Sequence, residues 1–186
     1  MNRIHIKFLT RYLRKDRAKV ASIIKRTFNY TLKEESNNKT LRLCGKKILL
    51  SVVLVDNARI KDINRKFLGR DRITDVIAFP MSENDSMVRL FECNELQPTI
   101  PGSNFTNCRS MGEFGEIIVS VEKAYQESRR RKIPTDGEIV LYCVHGLLHL
   151  LGYDDHSVKD SLEMWERQLE ILEKIFGKAK ARGYLE

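Results

Sequence analysis

The stretch that most restricts how this chain can fold is residues 138–152, EIVLYCVHGLLHLLG. It is apolar nearly all round at helical spacing, and a helix of that kind must be buried inside a domain. Thr135 and Glu138 form an S/T-x-x-E pattern just after Pro134, which predicts a capping box and a helix start. Gly152 is suited to a left-handed helix end. The sequence therefore predicts a buried helix that begins at Thr135 and stops at Gly152.

Three of the four histidines lie in or just after this helix. His145 and His149 are four residues apart, so their Cβ atoms lie about 5–6 Å apart on one face. Two such imidazoles can bind one ion with metal–nitrogen distances near ~2.1 Å. The chain can turn back after Gly152, and His156 can then supply a third nitrogen. Because three protein ligands leave one position open, the pattern predicts a catalytic site with one zinc ion.

The alternative is that these histidines are core residues with ordinary hydrogen-bond partners. Two rings on one apolar helix would both need such partners, and the nearby glycine and third histidine favour the metal site. Gly146 stands where the metalloprotease pattern HExxH carries its glutamate general base. The sequence thus predicts a zincin-like metal-binding helix without peptidase chemistry.

The rest of the chain predicts an α+β fold. Apolar alternation or apolar runs predict four strands, near 4–8, 48–55, 75–79 and 114–121. Amphipathic patterns predict further helices near 16–32, 56–68, 120–132 and 158–176. We expect a single domain over residues 1–186, with a small mixed sheet packed against helices.

Three segments carry more specific expectations. Residues 82–112 have no sustained periodicity, which predicts a long loop or an insertion. Residues 177–186 are expected to be frayed. The inner face of the last long helix is predicted to comprise five apolar side chains: Leu162, Trp165, Leu169, Leu172 and Phe176.

The charge of the chain bears on its partners. Lysine and arginine number 33 against 25 acidic residues, a formal net charge of +8. That excess favours a polyanionic partner such as nucleic acid, and the alternative is a lysine-rich solvated surface. The sequence lacks an apolar run of the ~18 residues that a membrane span needs. Its start also lacks a secretory apolar segment, so we expect a cytoplasmic protein with no membrane partner.

Several blocks resemble the YbeY family of bacterial metal-dependent endoribonucleases. HGLLHLLGYDDH is similar to the family signature HGxLHLxGYDH. INRKFLGRDRITDVIAFP is similar to the family stretch that ends in TDVLSFP, and FGEIIVS resembles its GDIVIS strand. These blocks occur in family order across residues 50–172.

The resemblance implies a small α+β fold that holds one zinc ion through His145, His149 and His156. It also implies cleavage of single-stranded RNA in ribosomal RNA maturation, with ribosomal RNA or a ribosomal subunit as the partner. The family often carries an RNA-contacting arginine where this chain has Leu68. Arg70 is the nearest substitute, and it is our candidate for RNA binding and catalysis.

One departure from the family leaves the third ligand open. The family separates its second and third histidines by five residues, and this chain has six because GYDDH carries an extra aspartate. Asp155 stands at the expected position, so it competes with His156, which we favour because imidazole suits the site. Asp154 or Asp155 can alternatively orient a ligand or relay a proton, and Asp155 is our second catalytic candidate.

Two other functions remain open from the sequence. One is a metal-dependent hydrolase of another substrate, such as a peptide, which the missing glutamate disfavours. The other is a ribosome-associated assembly factor whose metal is only structural. The sequence makes no prediction of oligomeric state.

Overall fold

The computed structural model describes residues 2–37, 47–80 and 111–185. The elements in chain order are β1 (Arg3–Leu9), α1 (Arg17–Asn37), β2 (Lys47–Val55), α2 (Asn57–Leu68), β3 (Val76–Pro80), β4 (Met111–Ser120), α3 (Val121–Arg131), α4 (Thr135–Leu150), α5 (Val158–Phe176) and α6 (Lys178–Leu185). This order confirms the predicted α+β class. Most of the predicted loop 82–112 lies outside the described residues, and its last two positions belong to β4.

The four described strands form one mixed sheet in the order β1-β2-β4-β3. β1 pairs in parallel with β2, and β2 in parallel with β4. β3 is antiparallel to β4, with Val76 opposite Val119. The apolar run of β2 predicted a strand covered on both faces, and its side chains are buried on both sides of the sheet, Val52 and Leu54 on one side and Val55 on the other.

Helices cover the two faces of the sheet unequally. On one face lies the main core, built from the sheet, α1, α4 and α5, with Phe28 and Leu147 among its fully buried side chains. On the other face α2 covers a smaller cluster through Ile60 and Ile63. Helix α4 therefore lies in the middle of the domain, where its apolar surface predicted it would be.

The start of α4 differs from the expected capping box. Thr135 is the first helical residue rather than the cap, and its hydroxyl pairs with the Ser128 hydroxyl at 2.8 Å. Glu138 instead pairs with Arg131 at 3.1 Å. The helix still begins as predicted, because Pro134 immediately precedes it and the first turn carries acidic residues.

The end of α4 follows the prediction. Gly152 has a φ of 92°, in the left-handed region that favours glycine. Its amide donates to the His149 carbonyl at 3.0 Å, and the Tyr153 amide donates to the Leu148 carbonyl at 3.0 Å. These bonds satisfy carbonyls that the helix end would otherwise leave without partners.

The prediction of a frayed tail is wrong. Residues 178–185 form α6, in which Ala181 and Tyr184 are buried. The Tyr184 ring lies directly over Gly137, where an added Cβ would be 2.0 Å from Tyr184 Cε1. The tail is ordered because this aromatic ring fills a space that only a glycine of α4 leaves open.

The inner face of α5 differs from the prediction in part: Leu172 is buried and Leu169 and Phe176 pack against the core as expected, but the other two predicted residues do not. Leu162 and Trp165 are exposed, and the buried positions are Met164, Gln168, Ile171 and Leu172. These four follow the i, i+4, i+7, i+8 spacing of a helix face. Because Gln168 is polar, the apolar pattern alone did not predict that this face is buried. Among the described residues, no helix has the length and apolarity that crossing a membrane requires.

Candidate metal centre

The predicted histidine pair lies in the last two turns of α4. The Nε2 atoms of His145 and His149 face each other at 3.1 Å, and the ring planes are nearly perpendicular. Both side chains are about 30% exposed, His145 at 28% and His149 at 30%. Two nitrogens bound to one tetrahedral zinc ion at ~2.1 Å lie roughly 3.4 Å apart. The observed separation therefore fits two ligands of one ion.

Neighbouring groups bond both rings, and for His149 they decide which nitrogen carries the proton. His149 Nδ1 lies 3.1 Å from the Tyr153 main-chain carbonyl, which can only accept a hydrogen bond. Nδ1 of His149 is therefore the protonated nitrogen, and its Nε2 presents a lone pair. His145 is hydrogen-bonded to the buried side chain of Gln168 on α5. Such outer partners orient metal-binding histidines in known sites.

The electrostatic surroundings keep His145 neutral. Burial, and next the neighbouring His149, lower the pKa of His145 below its ordinary value. The charges of Asp75 and Asp155 oppose this shift. A histidine must be deprotonated to bind a metal, so the lowered pKa suits His145 to that role.

The structure brings Asp155 to the histidine pair. Its Oδ2 lies 3.8 Å from His145 Nε2 and 3.9 Å from His149 Nε2. One donor atom from each of these three residues lies within 4.8 Å of the others. Helix geometry supplies the first two donors, and the turn after Gly152 supplies the third.

The structure places His156 apart from the pair. Its side chain is 85% exposed, and its Nδ1 bonds the Asp154 carboxylate. That contact raises the pKa of His156 and lowers the pKa of Asp154. Asp154, Asp155 and His156 could also group around an ion, but all three are exposed, and exposed acidic groups of this kind are common without one.

Gly146 explains why the helix carries no glutamate between the histidines. A Cβ at this position would lie 2.8 Å from Ile117 Cγ2 of β4 and 3.0 Å from Val76 Cγ2 of β3. The helix rests directly on the sheet here, so a side chain has no space. The position that serves as the base in HExxH enzymes therefore faces the core of this protein.

Arg70 lies just beyond the end of α2. Gly69, with a φ of 67°, ends that helix, and the Arg70 amide donates to the Asn64 carbonyl at 3.2 Å. Its side chain is exposed and has no hydrogen bond or ion pair to any of the described residues. Its role toward RNA stays a prediction.

The sequence did not predict a role at the site for three residues: Gln168, Tyr153 and Asp75. Gln168 had one detectable signal, since it is a polar residue at a buried position of the α5 face. Tyr153 acts through its main-chain carbonyl, which any residue possesses. Asp75 reaches His145 only because β3 lies beside α4 in the fold.

Two imidazoles and a carboxylate, which converge from a buried helix and the turn after it, make a donor set that suits zinc. On an α+β scaffold, this arrangement defines a metal-dependent hydrolase.

Comparison with known proteins identifies the family. The family model described as Endoribonuclease YbeY matches residues 6–176. The Endoribonuclease YbeY of Bacillus mycoides is 37% identical over 124 residues, which cover 67% of this chain and 70% of that protein. That of Brevibacillus brevis is 37% identical over 125 residues, with 67% and 72% covered. The chain belongs to the YbeY family, as its sequence motifs predicted.

A solved structure supports the fold. A Thermotoga maritima protein whose structure was determined in solution has a TM-score of 0.57 and 25% identity to this chain. The match covers 98% of this chain and 95% of the other. The prediction of an enzyme, a hydrolase of the endoribonuclease type, is confirmed at the level of the family.

Proposed function

We propose that this protein is a zinc-dependent endoribonuclease that cleaves single-stranded RNA during ribosomal RNA maturation in the cytoplasm. The observation that carries the proposal is the pair of Nε2 atoms 3.1 Å apart on a buried helix, with the Asp155 carboxylate under 4 Å from each. Family membership supports the reaction class. The net charge of +8 suits a polyanionic substrate such as ribosomal RNA or a ribosomal subunit.

His145 and His149 are the proposed ligands on the helix. We assign the third position to Asp155, because its carboxylate lies beside the pair while the His156 ring is turned to solvent. His156 is the competing ligand. If His156 binds the metal instead, Asp155 lies beside the metal ligands and can accept a proton from water. The two assignments thus give Asp155 different roles, as ligand or as proton acceptor.

The chain's own groups divide the remaining work. A zinc ion, when bound, supplies Lewis acidity that polarises a phosphate oxygen and makes water a better nucleophile at neutral pH. Arg70 offers an exposed guanidinium without a partner among the described residues, suited to bidentate binding of an RNA phosphate. Gly146 leaves the helix without the base that peptide hydrolysis by HExxH enzymes uses, which favours RNA over a peptide substrate.

The test is cleavage of a labelled single-stranded RNA by zinc-loaded protein. We expect cleavage by the wild type, with loss on chelation and none by His145→Ala prepared in the same way. A double-stranded RNA of the same sequence serves as the matched substrate and should remain intact. Equal cleavage by wild type and His145→Ala would mean that the activity comes from a contaminating nuclease.

A cellular test separates catalysis from assembly alone. We expect cells that produce only His145→Ala to accumulate unprocessed ribosomal RNA. If that variant supports normal ribosome maturation, the protein acts as an assembly factor and the proposed catalysis is not its function.

A further inference from the structure

Behind the metal centre lies a buried acidic residue that the chemistry above does not use. Glu35, near the end of α1, has a side chain only 2% exposed. Arg167 of α5 donates to its Oε1 through Nε at 2.7 Å. The Tyr153 hydroxyl lies 3.4 Å from both Glu35 carboxylate oxygens. One carboxylate therefore joins α1, α5 and the turn that follows the metal-binding helix.

Tyr153 connects this cluster to the histidine pair. Its main-chain carbonyl is the group that accepts from His149 Nδ1 at 3.1 Å. Its amide donates to the Leu148 carbonyl at 3.0 Å, which fixes the turn against the end of α4. Asp155 follows two positions later. Any rotation of the Tyr153 backbone would move both the partner of His149 and the start of the segment that carries Asp155.

The contact at the tyrosine is shielded from solvent, because Glu35 is buried and Tyr153 is half-buried. The tyrosine hydroxyl is the donor in this contact, since a carboxylate oxygen accepts. A buried ion pair adds little to stability compared with apolar packing, but it fixes the groups it binds in one arrangement. The arrangement fixed here is that of Tyr153.

We propose that the Glu35–Arg167 ion pair is a positioning device for the metal centre, acting through Tyr153. It holds the turn so that the Tyr153 carbonyl keeps His149 in the tautomer whose Nε2 binds metal, and so that Asp155 stays within reach. The inference rests on the proposed function, because it assumes that His149 is a metal ligand. Glu35 and Arg167 do not touch the ion themselves.

The chain offers a matched ion pair for comparison. Glu138 and Arg131 lie 3.1 Å apart with side chains 2% and 19% exposed, against 2% and 17% for Glu35 and Arg167. Arg131 also donates to the Gly183 carbonyl, so this second pair ties the start of α4 to α6. Glu138 lies seven residues before His145, about 10 Å along the helix. The two pairs are alike in burial and differ in what they hold.

The experiment measures zinc affinity by competition with a chromophoric chelator in four proteins. They are the wild type, Glu35→Gln, Tyr153→Phe and the control Glu138→Gln. We expect Glu35→Gln to bind zinc about ten-fold more weakly, the size of effect that outer partners of metal ligands typically have. Tyr153→Phe keeps the ring and loses only the hydroxyl, so it should weaken binding in the same direction. Glu138→Gln should bind zinc as the wild type does, even where its melting temperature falls.

A second readout separates positioning from general loss of structure. The visible absorption of the Co²⁺-loaded protein reports ligand geometry, and we expect it to change in Glu35→Gln and Tyr153→Phe but not in Glu138→Gln. The inference would be overturned if Glu35→Gln and Tyr153→Phe both kept the zinc affinity and spectrum of the wild type. It would also be overturned if Glu138→Gln lost as much zinc affinity as they do. If the wild type binds zinc no more tightly than His149→Ala, the proposed metal centre fails and this inference fails with it.

Discussion

The two halves of the metal centre are held in place by different means. His145 and His149 lie on a helix packed against the sheet and α5, and each ring has a hydrogen-bond partner, Gln168 for His145 and the Tyr153 carbonyl for His149. Asp154, Asp155 and His156 lie on an exposed turn, where Asp154 bonds the Asp155 amide and the His156 ring, and the Ser161 hydroxyl donates to the Asp155 carbonyl at 2.8 Å. The core thus fixes the two proposed histidine ligands, while local contacts set the positions of Asp155 and His156, the two candidates for the third ligand.

The largest expected effect is on the helix half. His149→Ala removes a proposed ligand whose hydrogen-bond partner and orientation are fixed by the helix and the turn that follows it. Zinc binds four-ligand structural sites with about 10–16 kcal/mol, so one ligand contributes roughly 3 kcal/mol and its loss costs at least about a hundred-fold in affinity. Chelator competition measures the change. An affinity within a few-fold of the wild type would show that the helix pair is not the anchor of the site.

The loop half is tested by comparing Asp155→Ala with His156→Ala. We expect Asp155→Ala to weaken zinc binding by about ten- to a hundred-fold, less than the histidine loss because water can enter an exposed position. His156→Ala should change little, because its ring already points to solvent. The reverse order of these two affinities would assign the third position to His156 and leave Asp155 as the proton acceptor.

Substitutions of two glycines beside the proposed ligands, Gly146 and Gly152, should lower the free energy of unfolding by different amounts. Gly146→Ala should destabilise the metal-free protein by about 2 kcal/mol, because the new methyl group overlaps Ile117 and Val76. Gly152→Ala should cost about 1 kcal/mol, from backbone strain alone, since nothing lies within 4 Å of its added Cβ. Chemical denaturation measures both.

A third glycine serves as the control for these substitutions. Gly183 lies in α6 with nothing within 4 Å of an added Cβ and without a positive φ. Gly183→Ala should therefore leave the stability unchanged or raise it slightly. If Gly146→Ala behaves like Gly183→Ala, the close contact between α4 and the sheet does not exist.

The smallest expected effect is a pair of opposite pKa shifts in the metal-free protein. Burial lowers the pKa of His145, whereas the Asp154 carboxylate raises that of His156. A lowered pKa means that the unfolded chain takes up the proton first. The stability that neutral His145 contributes is therefore present above the ordinary histidine pKa of ~6.5 and is lost as the pH falls through the folded value.

Proton NMR titration of the metal-free protein measures both rings separately. The His145 signal should titrate below the ordinary value and the His156 signal above it. The stabilising contact of protonated His156 with ionised Asp154 is fully present just below the ordinary histidine pKa of ~6.5 and is lost as the pH rises through the raised pKa of His156. Asp154→Asn should return His156 toward its ordinary value and leave His145 unchanged. If the pKa values of both histidines shifted in the same direction, the proposed contrast between a buried His145 and an exposed His156 beside Asp154 would be contradicted.

The sequence predicted the helix half well because its determinants are local. The spacing of His145 and His149 and the glycine after them need only helix geometry, and the apolar surface of α4 needs only burial. The four strands were also found, because alternation and β-branched runs are local signals. Their pairing order came from the structure, since it depends on residues far apart in the chain.

The partners of the histidines could not be predicted from local pattern. Gln168 reaches His145 from another helix, and Glu35 of α1 bonds Tyr153, the residue whose carbonyl contacts His149. Both are polar residues, which an amphipathic helix pattern places in solvent, yet both are buried. Two of the five residues predicted for the inner face of α5 were wrong for the same reason, because Trp165 and Leu162 are more apolar than Gln168 but less buried. The third ligand depends on the path of one short turn, which a single added residue redirects.

The contact of Tyr184 with Gly137 bears on the order in which the domain can fold as it is made. Synthesis proceeds from the N-terminus, and domains fold as their segments become available. Helix α4 can form once its own residues have left the ribosome, yet its first turn stays uncovered until α6 has been synthesised. The first turn of α4, at the end of the helix away from the histidines, is thus covered by Tyr184, one of the last side chains to be synthesised among those described.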